Sequence, residues 1–176
     1  MYARLLTESF CYKPPHSFSL TAWRFPLFDG ETVKAQVAKG EHTCKRPLFC
    51  SVMAACAVAS ARVRDGSLIT PESQRPYLLG IPPEDYFAAA EDALPPNLLE
   101  VHDFHYLRGC ALMALASIQD GRIDCMRKYL GHYFTIMAIR RWHDEMNWPA
   151  ALTPVEKEER RRLVREVPPT QRHPSS

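Results

Sequence analysis

Three cysteines recur every six residues where the chain becomes strongly apolar. Cys44, Cys50 and Cys56 follow His42, and cysteine together with histidine is the ligand chemistry of structural zinc. Such sites use ligand pairs with two to four residues between them, and the sequence has no cysteine pair at that spacing. Because a free cysteine in an apolar helix is usually a small core side chain, the spacing favours packing over metal binding.

Two histidines stand three residues apart in a second candidate metal site. His102 and His105 flank Asp103, with Glu100 just before them, and helical di-iron sites contain Glu-x-x-His pairs of this kind. Those sites need two such helices with further carboxylates, and only fragments are present. Similarly, Trp-His-Asp-Glu at 142–145 hints at phosphohydrolase chemistry but lacks the additional histidines and aspartates. We interpret these histidines as helix-surface or interface residues.

Motifs for nucleophilic or phosphate chemistry are absent from the sequence. It contains no G-x-S-x-G, no P-loop and no G-x-G-x-x-G, and its seven glycines are scattered singly. We therefore predict no catalytic, cofactor-binding or metal-ligating residues and no enzyme activity.

An acidic-then-basic run near the C-terminus is the remaining candidate site. Thr153, Pro154 and Glu156 have the spacing of a helix capping box with proline in the first turn. Glutamates then precede arginines, which suits the helix dipole and predicts the ion pairs Glu156–Arg160 and Glu158–Arg162. Residues 154–166 hold five basic and four acidic side chains, so the run favours a solvated helix face over a nucleic-acid patch.

The three consecutive arginines of this run are nevertheless the candidate contacts for phosphate or for a partner protein. They are Arg160, Arg161 and Arg162.

Composition limits the class of protein. The 176 residues carry a net charge of +2, which gives no general case for nucleic acid or membrane. The start of the chain has no signal-peptide pattern, so we expect six reduced thiols in an intracellular protein. The most apolar run, 47–61, is about 15 residues long and shorter than the roughly 20 that cross a bilayer, which predicts a buried core helix.

Helical periodicity organises the rest of the chain, and no stretch shows strand-like alternation. The sequence predicts an all-α partial bundle of about five helices. Their predicted ranges are 48–63, 84–94, 97–121, 123–142 and 154–166.

Caps and breakers define these ranges. Asn97 begins the third helix with Glu100 at capping-box spacing, and Gly121 ends it. The short connection after it predicts an antiparallel hairpin with the next helix. We expect two inward faces in that hairpin. One consists of Phe104, Leu107, Ala111, Leu115 and Ile118, and the other of Met126, Leu130, Phe134 and Met137.

The domain plan follows from these elements. We predict an irregular leading segment with short helical pieces at 1–45, a helical domain at 46–166, and a disordered tail at 167–176. Residues 65–83 are a connection within the helical domain.

Five segments, read in order, resemble the fungal-specific transcription factor domain, the middle regulatory region of fungal zinc-cluster (Zn₂Cys₆) regulators. They cover roughly residues 46–163. The segments are "RPLFCSVMAACAVASARV" at 46–63, "PPEDYFAAAEDAL" at 82–94, "VHDFHYLRGCALMALASIQDGR" at 101–122, "CMRKYLGHYFTIMAIRRWHDEMNWP" at 125–149 and "LTPVEKEERRRL" at 152–163.

The chain also departs from that family. No six-cysteine zinc cluster precedes the helices, and the arginine run passes into "EVPPTQRHPSS" where the family continues an aromatic-rich helix. The resemblance therefore implies the first half of the regulatory domain, truncated at both ends.

The resemblance implies a non-catalytic regulatory role in RNA polymerase II transcription, in the nucleus, through protein partners or other domains of the regulator. It also implies zinc and DNA binding only in the zinc-cluster module, and no cofactor in this chain. One alternative is a helical interaction module that competes with a full-length regulator and self-associates through uncovered apolar faces at 98–142. Another is a small helical metal protein or enzyme using His102 and His105.

Overall fold

The computed structural model describes residues 27–66 and 80–166, the last two without their side chains. These ranges contain seven α-helices and no β-strand, which confirms the predicted all-α fold. The helices are α1 (Gly30–Ala38), α2 (Glu41–Cys44), α3 (Arg46–Arg64), α4 (Pro83–Ala93), α5 (Phe104–Gln119), α6 (Ile123–Arg140) and α7 (Pro154–Glu166).

Helix α3 is the central element and packs against both α4 and α5. Its small side chains let neighbouring backbones come close, and most of its residues are buried. Cys50 donates its thiol hydrogen to the Ala90 carbonyl of α4, with 3.3 Å between sulfur and oxygen. The predicted helix at 48–63 is therefore present and buried on nearly all sides, as an all-round apolar sequence requires.

By length and composition, α3 alone among the described helices could cross a membrane. The helix has 19 residues, whereas the apolar run at 47–61 has about 15. It is longer because Arg46 extends the helix at one end and Arg62, Val63 and Arg64 extend it at the other. However, 72% of its most apolar window is buried inside the protein. This burial supports the predicted core helix.

Helices α5 and α6 form the predicted hairpin. Gly121 has a φ of 67°, a left-handed conformation that suits glycine at a helix C-terminus. The Gly121 and Arg122 amides donate to the carbonyls of Ile118 and Ser117, at 3.1 and 2.8 Å. These bonds close the α5 terminus, and α6 begins immediately at Ile123.

The predicted start of α5 was wrong. Asn97 does accept a hydrogen bond from the Leu99 amide, but it caps only a short 3₁₀ turn, Leu98–Glu100. The chain is then extended through Val101, and Asp103 caps α5 by accepting from the His105 amide at 2.8 Å. Two capping residues lie six positions apart, and the second one begins the long helix.

The predicted inward faces of the hairpin were partly wrong. Ile118 is 53% exposed, and Met126, Leu130 and Phe134 are only half-buried. The deepest side chains of α6 are Tyr129, Tyr133 and Ile136. The tyrosines can be buried because each hydroxyl has an acceptor. Tyr129 donates to Glu91 at 2.6 Å and Tyr133 donates to the Leu163 carbonyl at 3.1 Å.

Helix α7 begins with the predicted capping box. The Thr153 amide donates to the Glu156 carboxylate at 2.8 Å, and the Glu156 amide donates to the Thr153 hydroxyl at 3.3 Å. The predicted Glu158–Arg162 ion pair is present at 3.1 Å. The predicted Glu156–Arg160 ion pair does not form, because Glu156 accepts from Thr153 and Arg160 turns toward aromatic rings.

The leading segment is helical where the structure describes it. Helices α1 and α2 are the short helical pieces expected within 1–45, and they bring the number of α-helices above the predicted five. The rest of that segment, the connection at 67–79 and the predicted disordered tail at 167–176 lie outside the described residues.

Candidate functional site: a buried ion pair beneath α7

A buried carboxylate joins three parts of the chain. One oxygen of Glu159, in α7, accepts from the Arg108 guanidinium of α5 at 2.5 Å, and the other accepts from the Asp29 amide just before α1. Glu159 is 7% exposed and Arg108 is 6% exposed. Since a buried charge is costly without a partner, this pair holds α7 and the start of α1 onto α5.

Aromatic rings enclose the Arg108 side of the pair. The guanidinium carbon of Arg108 lies 5.2 Å from the ring centre of Phe28 and 5.3 Å from that of Phe104. These contacts satisfy the flat faces of the guanidinium, which hydrogen bonds cannot reach. Burial lowers the pKa of Arg108, and the Glu159 carboxylate acts in the opposite direction.

A serine and a histidine extend this polar cluster toward α3. The Ser51 hydroxyl lies 2.9 Å from Nδ1 of His105, and the same hydroxyl donates to the Leu48 carbonyl at 3.0 Å. Burial first, and then the Arg108 charge, lower the pKa of His105 to about 4. The imidazole is therefore neutral at neutral pH and adds no second positive charge beside Arg108. We call Ser51, His105, Arg108 and Glu159 the buried polar cluster.

The hydrogen bonds of the buried polar cluster connect helices of the protein to one another. A serine nucleophile must meet its substrate, whereas Ser51 is fully buried and hydrogen-bonded to its own helix. Glu159 is occupied by Arg108 and by a backbone amide. The arrangement therefore fixes the position of α7.

The three candidate arginines point to different partners. Arg160 is half-buried, with its guanidinium carbon 4.3 Å from the ring centre of Phe104. Arg161 makes two hydrogen bonds of 2.7 Å to the Glu145 carboxylate, and Arg162 pairs with Glu158. Contact of these arginines with phosphate or a partner protein stays a prediction.

The candidate metal ligands are not brought together. His102 lies 3.3 Å from the Arg140 guanidinium, whereas His105 faces Ser51. Burial raises the pKa of the Cys50 and Cys56 thiols to about 12, and Cys44 is exposed. Within 27–66 and 80–166, no group of three or more histidine, cysteine or acidic side chains could hold a metal ion.

The Trp-His-Asp-Glu stretch shapes the turn between α6 and α7. Trp142 is buried, and its carbonyl accepts from the Trp148 indole at 2.8 Å. Asp144 accepts from the Met146 amide at 3.0 Å, which caps a 3₁₀ turn, and Glu145 binds Arg161. Three of the four residues thus position α7.

The ion pair between Arg108 and Glu159 was not predicted from the sequence. Arg108 lies among mainly apolar residues of α5. A charged residue in such a position indicates a buried charge that needs a partner. The partner itself could not be identified, because 51 positions separate the two residues.

Comparisons with protein-family models, curated proteins and solved structures find no match to this chain. Membership of the fungal-specific transcription factor family therefore stays a prediction from the five quoted segments.

Proposed function

We propose that this chain is a non-catalytic regulatory domain of a fungal RNA polymerase II transcription regulator. It acts in the nucleus through protein contacts, and a separate zinc-cluster module reads DNA. One observation supports the proposal most directly. Glu159, at the head of the Glu-Arg-Arg-Arg run, makes its buried ion pair with Arg108 in the central segment of the resemblance. Two of the family-like segments are thus joined in one helical unit.

The placement of the polar residues favours a scaffold over a catalyst. Ser51 and His105 form hydrogen bonds inside the protein, and Asp144 and Glu156 cap helical turns. The raised pKa of Cys50 keeps its thiol protonated at neutral pH, so it is a poor nucleophile.

The arginine run favours a partner protein over sequence-specific DNA recognition. Arg161 and Arg162 are each paired with a glutamate, so a phosphate contact would have to compete with existing ion pairs. Such contacts would add affinity without base specificity.

A reporter assay tests the regulatory role. The full chain is fused to a heterologous DNA-binding domain in yeast, and reporter expression is compared with that domain alone. We expect a change in expression that Glu159→Ala reduces, since it releases α7, whereas the exposed Glu158→Ala keeps it. Equal expression from the fusion and from the DNA-binding domain alone, with both proteins present at similar levels, would contradict the proposal.

A binding selection tests the absence of a DNA reader. The purified chain is incubated with a randomised duplex pool at near-physiological salt, and bound duplexes are sequenced. We expect weak, salt-sensitive binding without an enriched motif. A strongly enriched motif would show that these helices read DNA themselves.

The second candidate function is an interaction module that competes with a full-length regulator. It is favoured by large apolar side chains that are exposed within 98–142, with Leu99 63% exposed and Ile118 53% exposed. Sedimentation velocity over a range of concentrations tests the associating form. Dimer formation that Ile118→Ser weakens would support it, and a monomer at all concentrations would contradict it.

A further inference from the structure

Three aromatic rings surround the guanidinium group of Arg160. Its central carbon lies 4.3 Å from the ring centre of Phe104, 5.7 Å from that of Trp142 and 6.0 Å from that of Trp148. Separations of about 6 Å or less between a cation and a ring centre are those of cation–π contacts. We call Phe104, Trp142 and Trp148 the aromatic cage.

The rings of the aromatic cage are held in place by contacts of their own. Phe104 and Trp142 are buried, and their rings meet at 59° with 5.4 Å between centres. The Trp148 indole donates to the Trp142 carbonyl at 2.8 Å, and this third ring is only half-buried. The cage therefore has two inner walls in the core and one wall at the surface of the protein, on the side from which a ligand can approach.

Arg160 is a poorly matched cation for this cage. Its Nη1 atom is buried and has no hydrogen-bond acceptor among the described residues. A buried donor without an acceptor costs free energy, and three aromatic faces do not supply one. A quaternary methylammonium group also carries one positive charge but has no N–H, so it leaves no donor unsatisfied between the rings. Aromatic cages bind choline and methylated lysine in this way.

Arg160 has a second position available on its own helix. Glu156 precedes it by four residues, a spacing that brings the two side chains together on a helix surface. Both side-chain hydrogen bonds from Thr153 go to one oxygen of Glu156, so the other oxygen is left for the Arg160 guanidinium. The Glu156–Arg160 ion pair predicted from the sequence is therefore the arrangement that α7 can adopt when another cation fills the cage.

We propose that the aromatic cage binds a quaternary methylammonium group, such as that of a trimethylated lysine or of choline, in exchange for Arg160. Binding turns Arg160 toward Glu156, and Arg160 limits the affinity of the resting protein by competing for the rings. The proposal is independent of the regulatory function, because it depends only on the rings and charges beneath α7.

NMR of the full ¹⁵N-labelled chain tests the exchange. The probes are Nε-trimethyllysine, choline and unmethylated lysine, each titrated at constant ionic strength and followed at the indole N–H resonance of Trp148. We expect weak, saturable binding of a methylated probe by the unsubstituted chain and no binding of lysine. The relative affinity for the two methylated probes distinguishes a modified protein from a free small molecule as the source of the group.

Removing the competing side chain should tighten binding. Arg160→Ala vacates the cage, and we expect the dissociation constant of the methylated probe to fall about tenfold or more, because every molecule is then competent to bind. The matched control is Arg161→Ala, which removes an exposed arginine paired with Glu145 and should leave the dissociation constant unchanged.

Two further variants test the second position of Arg160 and the location of the ligand. Glu156→Gln keeps the capping box but removes the charge that attracts Arg160, so it should weaken binding by the unsubstituted chain and have no effect in the Arg160→Ala background. Trp148→Leu with Arg160→Ala should abolish binding, with circular dichroism confirming that the double variant is folded.

Four results would overturn the proposal. Folded Arg160→Ala that binds neither methylated probe would show that the rings are not a cation site. Equal binding of lysine and trimethyllysine would show a general charge effect. Equal affinity of the unsubstituted chain and Arg160→Ala, or binding that survives Trp148→Leu, would place the ligand elsewhere. Binding by Arg160→Ala alone would show that Arg160 closes the cage permanently.

Discussion

Gly109 of α5 packs directly against Cys50 of α3. A methyl group at Gly109 would lie 2.7 Å from the Cys50 sulfur, closer than such atoms approach in proteins. The Cys50 carbonyl carbon and the Ser51 amide nitrogen are each 3.8 Å from the same point. The two central helices therefore meet at a position where only a hydrogen atom fits.

Gly109→Ala is expected to destabilise the fold by about 1–3 kcal/mol, because the added methyl overpacks the contact between α3 and α5. Chemical denaturation measures the free energy of unfolding. Gly131→Ala is the matched control, since Gly131 is in α6 with nothing within 4 Å of an added methyl. Alanine there should stabilise the helix by about 0.5–1 kcal/mol. Adding Cys50→Ala to Gly109→Ala should recover stability, and a neutral Gly109→Ala would contradict the close contact.

Removing the Glu159 carboxylate is expected to cost about 3–5 kcal/mol, because Arg108 would remain buried without its partner. Glu159→Ala is compared with Glu158→Ala, which removes an exposed ion pair on the same helix and should cost less than about 1 kcal/mol. Denaturation followed by circular dichroism measures both.

A double replacement separates the ion pair from its packing. Arg108→Met with Glu159→Leu should be more stable than either single replacement, since no unpaired charge remains. If the double replacement lowered the free energy of unfolding by the sum of the two single losses, the two side chains would act independently.

His105 makes stability depend on pH. Its pKa is lowered to about 4 from an ordinary value of 6.5, so the unfolded chain binds the proton more tightly. The stability from this residue is therefore present above about pH 6.5 and is lost as pH falls toward 4. We expect a loss of about 1–2 kcal/mol between about pH 7 and pH 5.

His105→Asn tests that assignment, because asparagine can still bond Ser51 but does not titrate in this range. It should flatten the pH dependence of the unfolding free energy. Desolvation also lowers the pKa of His42 and His132, so some slope remains in the variant. An unchanged slope would show that His105 does not account for the pH dependence.

The capping box of α7 is expected to contribute about 1 kcal/mol. Thr153→Ala removes the hydroxyl that accepts from the Glu156 amide, and Glu156→Ala removes the acceptor of the Thr153 amide. Both variants should lower the unfolding midpoint, whereas Lys157→Ala in the same turn should change stability by less than about 0.5 kcal/mol. Equal effects from all three would refute a specific capping role.

Local features of the sequence predicted the helices well where several signals agreed. At the start of α7, Thr153, Pro154 and Glu156 all favour a helix N-terminus, and the structure has the expected hydrogen bonds between Thr153 and Glu156. At Asn97 the same logic failed, because Asp103 provides a second cap only six residues later. Asn97 caps only a short 3₁₀ turn, and the later cap, Asp103, begins the long helix.

Contacts between residues far apart in the sequence could not be predicted from local sequence patterns. Met126 and Leu130 looked like the interior of α6, but Tyr129 and Tyr133 are buried more deeply because Glu91 and the Leu163 carbonyl accept their hydroxyl hydrogens. The Arg108–Glu159 pair was missed for the same reason. Its members belong to elements whose relative positions depend on the whole fold.

The bond from the Asp29 amide to Glu159 has a consequence for synthesis of the chain. These residues are 130 positions apart, and together with Arg108 they tie an early helix to the last described one. While a ribosome is still making α6, neither the Arg108 guanidinium nor the Asp29 amide has the Glu159 carboxylate as its partner. We therefore expect the first helices to stay incompletely packed until α7 emerges, so that slow or paused translation of residues 141–159 prolongs the exposure of the nascent chain to chaperones and proteases.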